Sequence, residues 1–150
     1  MIKINVIIEN KSWKKKIKNP KSYLALKSKI LSKKIILFKK CNCDFSILLS
    51  GNKEIKKLNK KFRKKDKITD VLSFPFHEPK NLTKLFNKNK NVYLGDVVVN
   101  FYKINKDSFK IEFDKLWIHG LLHLIGYRHK IDRDYNKMSK LENSFLKILN

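Results

Sequence analysis

Hydrophobic and polar positions change their period several times along the chain. "IKINVIIE" (residues 2–9) alternates and is rich in β-branched residues, which predicts a strand. "NPKSYLALKSKILSKKIILF" (19–38) follows with Asn19 to cap, Pro20 at a first helical position and Tyr23, Leu26 and Ile30 on one side. That spacing predicts an amphipathic helix. "DFSILLS" (44–50) places Phe45, Ile47 and Leu49 on one face of a second strand. After Ser50-Gly51-Asn52 the period returns to helical, with Ile55, Leu58 and Phe62 inward and lysines outward.

"TDVLSFPF" (69–76) is a short apolar strand that Pro75 confines to an edge or a terminus. Residues 78–92 are rich in Asn and Lys and read as a long loop. "YLGDVVVN" (93–100) is a further strand, with Val97 and Val99 opposite Asp96 and Val98. A polar connector at about 103–112 leads into "FDKLWIHGLLHLIG" (113–126). That segment is apolar nearly all round, as a helix buried in the centre of a domain must be. "DRDYNKMSKLENSFLKILN" (132–150) opens with acidic residues suited to a helix N-terminus and carries a core stripe of Tyr135, Met138, Leu141, Phe145 and Ile148. The order βαβαββαα, without repeats or a break in composition, predicts one α+β domain over 1–150. Its core is a small mixed sheet of about four strands packed with helices.

Composition adds charge to this picture. Lys and Arg number 36 against 13 acidic residues, a formal net charge of +23 in 150 residues. Such a field attracts polyanions: nucleic acid, an acidic membrane surface or acidic proteins. All but Arg63, Arg128 and Arg133 of the basic residues are lysines, and Asn and Ile are heavily used too. Coding bias in an AT-rich genome produces the same excess, so charge alone does not establish RNA binding. Cys41 and Cys43 form a lone C-x-C, which is neither a disulfide framework nor a zinc knuckle, and free thiols in a reducing compartment are expected. The N-terminal apolar run is too short for a signal peptide, and lysines break the other apolar stretches. A cytoplasmic protein without a membrane span is expected.

Three of the four histidines fall within "HGLLHLIGYRH" (119–129). His119 and His123 are four apart and share a helix face. Gly126 ends that helix, because glycine takes the left-handed conformation that turns the chain, and the turn returns His129 towards the pair. Three neutral imidazoles with a fourth position open make a catalytic rather than a structural zinc site. Burying them unpaired would be costly, whereas one ion satisfies all three. The spacing matches the zinc signature of the metzincin proteases except at one position. Gly120 stands where those enzymes carry the glutamate that acts as general base, so peptide hydrolysis lacks its proton acceptor.

With these residues in view, the chain resembles the YbeY family of bacterial rRNA maturation factors, single-strand-specific endoribonucleases. The resemblance rests on "LNKKFRKKDKITDVLSFPF" (58–76), "YLGDVVV" (93–99), "HGLLHLIGYRH" (119–129) and "MSKLE" (138–142). It implies one zinc ion on His119, His123 and His129. It implies a functional Arg63 near the metal, since Arg63 matches the arginine of the family's N-x-x-[YF]-R-x-x-D stretch. It also implies single-stranded RNA, 16S rRNA 3′-end maturation, the ribosome or its small subunit, and ribosomal or assembly proteins as partners. One departure stands out. The family has aspartate before the third histidine, and this chain has Arg128, which leaves Asp132 or Asp134 to supply an acidic partner.

Arg63 suits a phosphodiester because a guanidinium meets two phosphate oxygens at once. Asp66 and Asp70 flank it and are candidates to fix it or to cap the next turn. Asp96, in an apolar strand, needs a specific partner, and a role behind the metal ligands or in fixing the backbone is expected rather than direct catalysis. His77 has no spacing relation to the triad and reads as a loop residue. Two alternatives remain: a non-catalytic basic ribosome-associated factor, and a metal-dependent hydrolase of another substrate.

Overall fold

A computed structural model describes residues 1–88 and 91–150. Strands β1 (Ile2–Ile8), β2 (Asn42–Ser50), β3 (Val71–Pro75) and β4 (Asn91–Asn100) form one mixed sheet in the order β1-β2-β4-β3. β1, β2 and β4 run parallel, and β3 closes one edge antiparallel to β4. A proline at the end of β3 is tolerated because that strand is an outer one.

The helices are α1 (Trp13–Lys16), α2 (Pro20–Lys34), α3 (Ile36–Lys40), α4 (Asn52–Arg63), α5 (Pro79–Lys88), α6 (Phe109–Leu124) and α7 (Asp132–Leu149). Asn19 caps α2 as expected, its side-chain oxygen accepting from the Ser22 N–H at 3.0 Å. The expected helix over 19–38 breaks at Ile35, whose backbone is extended, and resumes as α3. α6 begins a turn earlier than its apolar run suggests, at Phe109. The stretch 78–92 is not a loop: α5 fills most of it, with Pro79 at its start and Leu82 buried. Leu82, Leu85 and Phe86 repeat at helical spacing beneath the lysines and asparagines, and they pack on the main core. Residues 89 and 90 of that stretch lie outside the described residues.

Most of the core lies on one face of the sheet, where α2 and α6 pack and α7 covers α6. Val97 and Val99 point into it with Phe45, Ile47 and Leu49. The opposite face carries only α4, over a small cluster of Ile55, Leu72 and Val98. Phe62, expected inward on α4, does meet Phe74 on the sheet but is 58% exposed, because it lines an open groove between α4 and the sheet. No helix among the described residues is long and apolar enough to cross a membrane.

One buried charge ties α6 to α2. Asp114 is 1% exposed and accepts from the Trp117 indole at 2.8 Å and the Tyr23 hydroxyl at 3.0 Å. Lys27 completes the group at 3.0 Å. Burial, and then the nearby Asp114 carboxylate, raise the Tyr23 pKa, so its phenol stays a donor. A carboxylate in this position is tolerable only because every partner is present. Replacing it removes the carboxylate partner of Lys27 and leaves the buried Trp117 indole and the half-buried Tyr23 hydroxyl without their acceptor. Asp114→Ala is expected to lose about 3–5 kcal/mol of stability in a denaturant titration, as when one partner of a buried ion pair is removed.

Candidate metal centre

The C-terminus of α6 builds the centre. Gly126 takes φ = +97°, and its N–H donates to the His123 carbonyl at 3.0 Å. The Tyr127 N–H donates to the Leu122 carbonyl at 3.0 Å, which completes a Schellman turn. This turn reverses the chain and brings His129 over the helix end. The three imidazoles close into a triangle, with ring centroids 4.7, 5.6 and 5.0 Å apart. One nitrogen from each of His119, His123 and His129 lies within 4.8 Å of the others.

Hydrogen bonds behind the rings fix which nitrogen faces inward. His123 donates from Nδ1 to the Tyr127 carbonyl at 2.9 Å, so the helix-ending turn itself orients this ring. His119 places Nδ1 3.4 Å from Glu142 Oε2 on α7. A carboxylate and a carbonyl accept only, so in the neutral rings both Nε2 atoms carry lone pairs. Those two atoms face each other at 3.1 Å. Two lone pairs at that distance repel unless a cation lies between them. Ligands of a tetrahedral zinc ion are separated by roughly 3.3 Å, given Zn–N bonds of about 2.0–2.1 Å. The donor set therefore fits a metal ion of this size.

Burial, followed by the neighbouring His119, pushes the His123 pKa down to about 4, against a smaller opposing effect of the Tyr127 carbonyl. His123 thus stays neutral at physiological pH, as a ligand must. His119 and His129 open on a cleft of about 260 Å³ between α6 and α7, lined also by Lys115, Tyr135, Met138 and Glu142. Tyr135 belongs to this rim and is 60% exposed, so it leaves the core stripe that Met138, Leu141, Phe145 and Ile148 otherwise form. Glu142 is the acidic partner that sequence reasoning sought at Asp132 or Asp134. Its only signal was its place, one helical turn beyond Met138, in the "MSKLE" stretch. Arg128 is exposed beside the site.

Gly120 is more than a missing glutamate. A Cβ there would stand 2.6 Å from Val97 Cγ1 and 3.2 Å from Ser73 Oγ. The position faces the sheet, not the cleft, and only glycine lets α6 settle this close to β3 and β4. No side chain at 120 could serve as a base in this fold.

Arg63 reaches the same junction from the other side of β3. Its Nη2 donates to the Ser73 carbonyl at 3.0 Å, while the Ser73 hydroxyl donates to the Gly120 carbonyl at 3.4 Å. Arg63 is therefore linked to the histidine helix through one residue. Asn59, buried beneath the end of α4, accepts from the Lys65 N–H and donates to the Lys67 carbonyl, which shapes the turn beyond Arg63. Asp66 pairs with Lys60 and Lys56 rather than with Arg63. Asp70 caps its own turn, accepting from the Val71 N–H at 2.7 Å. Asp96 has the specific partner expected of it, accepting from the Tyr93 hydroxyl at 2.6 Å, but on the sheet face away from α6, so of its two expected roles the one behind the metal ligands does not hold. His77 lies in the loop after β3, against Phe76, and Cys41 and Cys43 are free and buried.

A family model described as Endoribonuclease YbeY matches residues 7–150. The Endoribonuclease YbeY of Pelagibacter ubique is 45% identical, with 99% of this chain and 97% of the relative covered. The chain belongs to the YbeY family. Another YbeY endoribonuclease, from Buchnera aphidicola, is 36% identical over 99% of this chain and 92% of its own. A Thermotoga maritima protein solved in solution superposes with a TM-score of 0.64 at 24% identity, covering 98% of this chain and 89% of that one. The YbeY match spans all three histidines, Arg63 and Glu142.

Two outcomes test this geometry. Gly120→Ala is expected to lose about 1–3 kcal/mol in chemical denaturation, the usual effect of overpacking. The metal-free protein is expected to lose stability as pH falls from about 6.5 towards 4. Over that window the unfolded chain protonates His123 while the folded one does not. Denaturation at several pH values should show this loss in the wild type and a smaller one in His123→Gln.

Proposed function

We propose that the chain is a metal-dependent endoribonuclease of single-stranded RNA, with zinc on His119, His123 and His129 and with rRNA of the small subunit, at its 3′ end, as substrate. The observation that carries this reading is the approach of His119 Nε2 and His123 Nε2 to 3.1 Å, closed by a third histidine, in a chain of the YbeY family. Imidazole donors favour zinc among common metals, though other first-row ions bind such sets. A zinc ion so held supplies Lewis-acid chemistry, acidifying water and polarising a phosphoryl oxygen.

The protein's own groups divide the remaining work. Glu142 and the Tyr127 carbonyl hold two rings so that Nε2 faces inward. Arg63, with donors left free by its single bond to Ser73, meets phosphate oxygens and offsets charge developing on the scissile group. The lysines of α4 hold the RNA backbone without choosing sequence, which makes affinity steeply salt-dependent. A peptidase reading is disfavoured by Gly120, whose surroundings leave no room for a carboxylate. A purely structural ion is disfavoured by the cleft beside the histidines, where a fourth ligand can enter.

Incubation with RNA carrying an unprocessed small-subunit 3′ end tests the proposal. Cleavage should vanish with chelator, return with zinc and be absent in His123→Ala. Arg63→Lys keeps the charge but loses the planar fork, and about a tenfold or greater loss of rate is expected. Equal cleavage with and without chelator, or full activity in His123→Ala, would refute the reading. RNA binding without cleavage, surviving loss of His123, would favour a non-catalytic ribosome-associated factor.

A further inference from the structure

The sheet face away from α6 is left half covered, and its free edge is aromatic. Phe62, in the last turn of α4, meets Phe74 at a ring-centroid distance of 5.4 Å. Phe74 and Phe76 are two apart along the extended chain of β3 and so share a face. The Phe76 N–H continues the ladder to the Leu94 carbonyl, and its ring meets Tyr93 at 5.5 Å. Phe62 is 58% and Phe76 67% exposed. Large exposed aromatic side chains grouped together are unusual on a surface this highly charged.

Cations border the same row. Lys61 Nζ lies 5.3 Å from the centre of the Phe62 ring, and the Arg63 guanidinium lies 5.9 Å from that of Phe74. α4 adds Lys53, Lys56, Lys57 and Lys60, all exposed, against Glu54 alone. Behind the row a groove of about 360 Å³ runs between α4 and the sheet, lined by Leu48, Leu58, Phe62, Phe74 and Val98. Asp96 at its rim, held by Tyr93, is an acceptor suited to a base amino group.

We infer that Phe62 and Phe76, on the platform completed by Phe74 and Tyr93, stack unpaired bases of the RNA, whose backbone runs along the lysines of α4. Resting on the RNA reading above, this assigns the substrate a second contact region on the far side of β3 from the histidines. β3 is the outer strand, so a flexible single strand can pass around its free edge. Arg63 marks that crossing, touching the aromatic row through Phe74 and the histidine helix through Ser73. A rigid duplex cannot make this turn or expose base faces to the rings. The platform therefore selects unpaired RNA, whereas the lysines alone would accept any polyanion.

The test measures binding of a short fluorescein-labelled single-stranded RNA, the same strand with abasic sites, and a duplex of equal length. The zinc-loaded wild type is compared with Phe62→Leu, Phe76→Leu and the double variant. Leucine keeps the apolar surface and removes the ring, and thermal melts confirm that each variant folds. Tyr102→Leu, an exposed aromatic away from the row, is the control. Each Phe variant should bind the intact single strand about fivefold or more weakly, the low end of one lost stacking contact. Binding of the abasic strand and the slope of affinity against salt should not change. Phe variants that bind the intact strand as the wild type does, or lose equally on the abasic strand, would overturn the platform while leaving the RNA reading in place. A concentration-dependent dimer abolished by Phe62→Leu, with RNA binding intact, would likewise assign the row to a second copy and overturn it. A wild type that binds no RNA would overturn both readings.

Discussion

The close approach of α6 to the sheet at Gly120 is the constraint on which the site depends. Val97 and Ser73, register partners on β4 and β3, sit directly against the glycine backbone. That contact fixes how far the helix sinks onto the sheet, and hence where its last turn emerges. His119 and His123 flank Gly120 on the helix and are carried out to the same end of the domain. The Ser73 hydroxyl binds the Gly120 carbonyl while the Ser73 main chain holds Arg63. A larger residue at 120 would therefore displace both the histidines and the link to the arginine.

Two further devices hold this helix in position. At its first half Asp114 locks it to α2 through the Lys27 ion pair and the Tyr23 hydrogen bond, where a shift would leave charges unpaired. At its end the Schellman turn at Gly126 supplies the Tyr127 carbonyl that orients His123 and returns the chain so that His129 arrives. α7 then packs along α6 and contributes Glu142 to His119. The candidate metal centre is thus assembled from the termination of one helix and the flank of the next. The close approach of His119 Nε2 and His123 Nε2, 3.1 Å apart, is the feature of the arrangement that a metal ion would accommodate.

Much of this was legible in the residues. The i, i+4 histidines, the turning glycine and the third histidine define the cluster by local geometry, and local geometry survives folding. Pro75 marks a strand at an edge, and the order βαβαββαα points to one α+β domain with a small mixed sheet. Misreadings arose where tertiary context decides. α5 was hidden because lysines and asparagines dilute a three-residue apolar face over Leu82, Leu85 and Phe86. Phe62 follows helical spacing and faces Phe74, but the groove it lines is open, so its ring stays largely exposed. Glu142 could not be assigned from spacing, since its proximity to His119 exists only once α7 packs on α6. Gly120 was read as a lost base, whereas its neighbours show a packing requirement.

X-ray absorption at the zinc edge of protein loaded with one equivalent of zinc tests the central claim most directly. The account predicts a first shell of nitrogen or oxygen scatterers at about 2.0–2.1 Å with the signature of three imidazoles, reduced to two in His129→Ala. Sulfur at about 2.3 Å, which would implicate Cys41 and Cys43, or a spectrum unchanged by loss of His129, would contradict it.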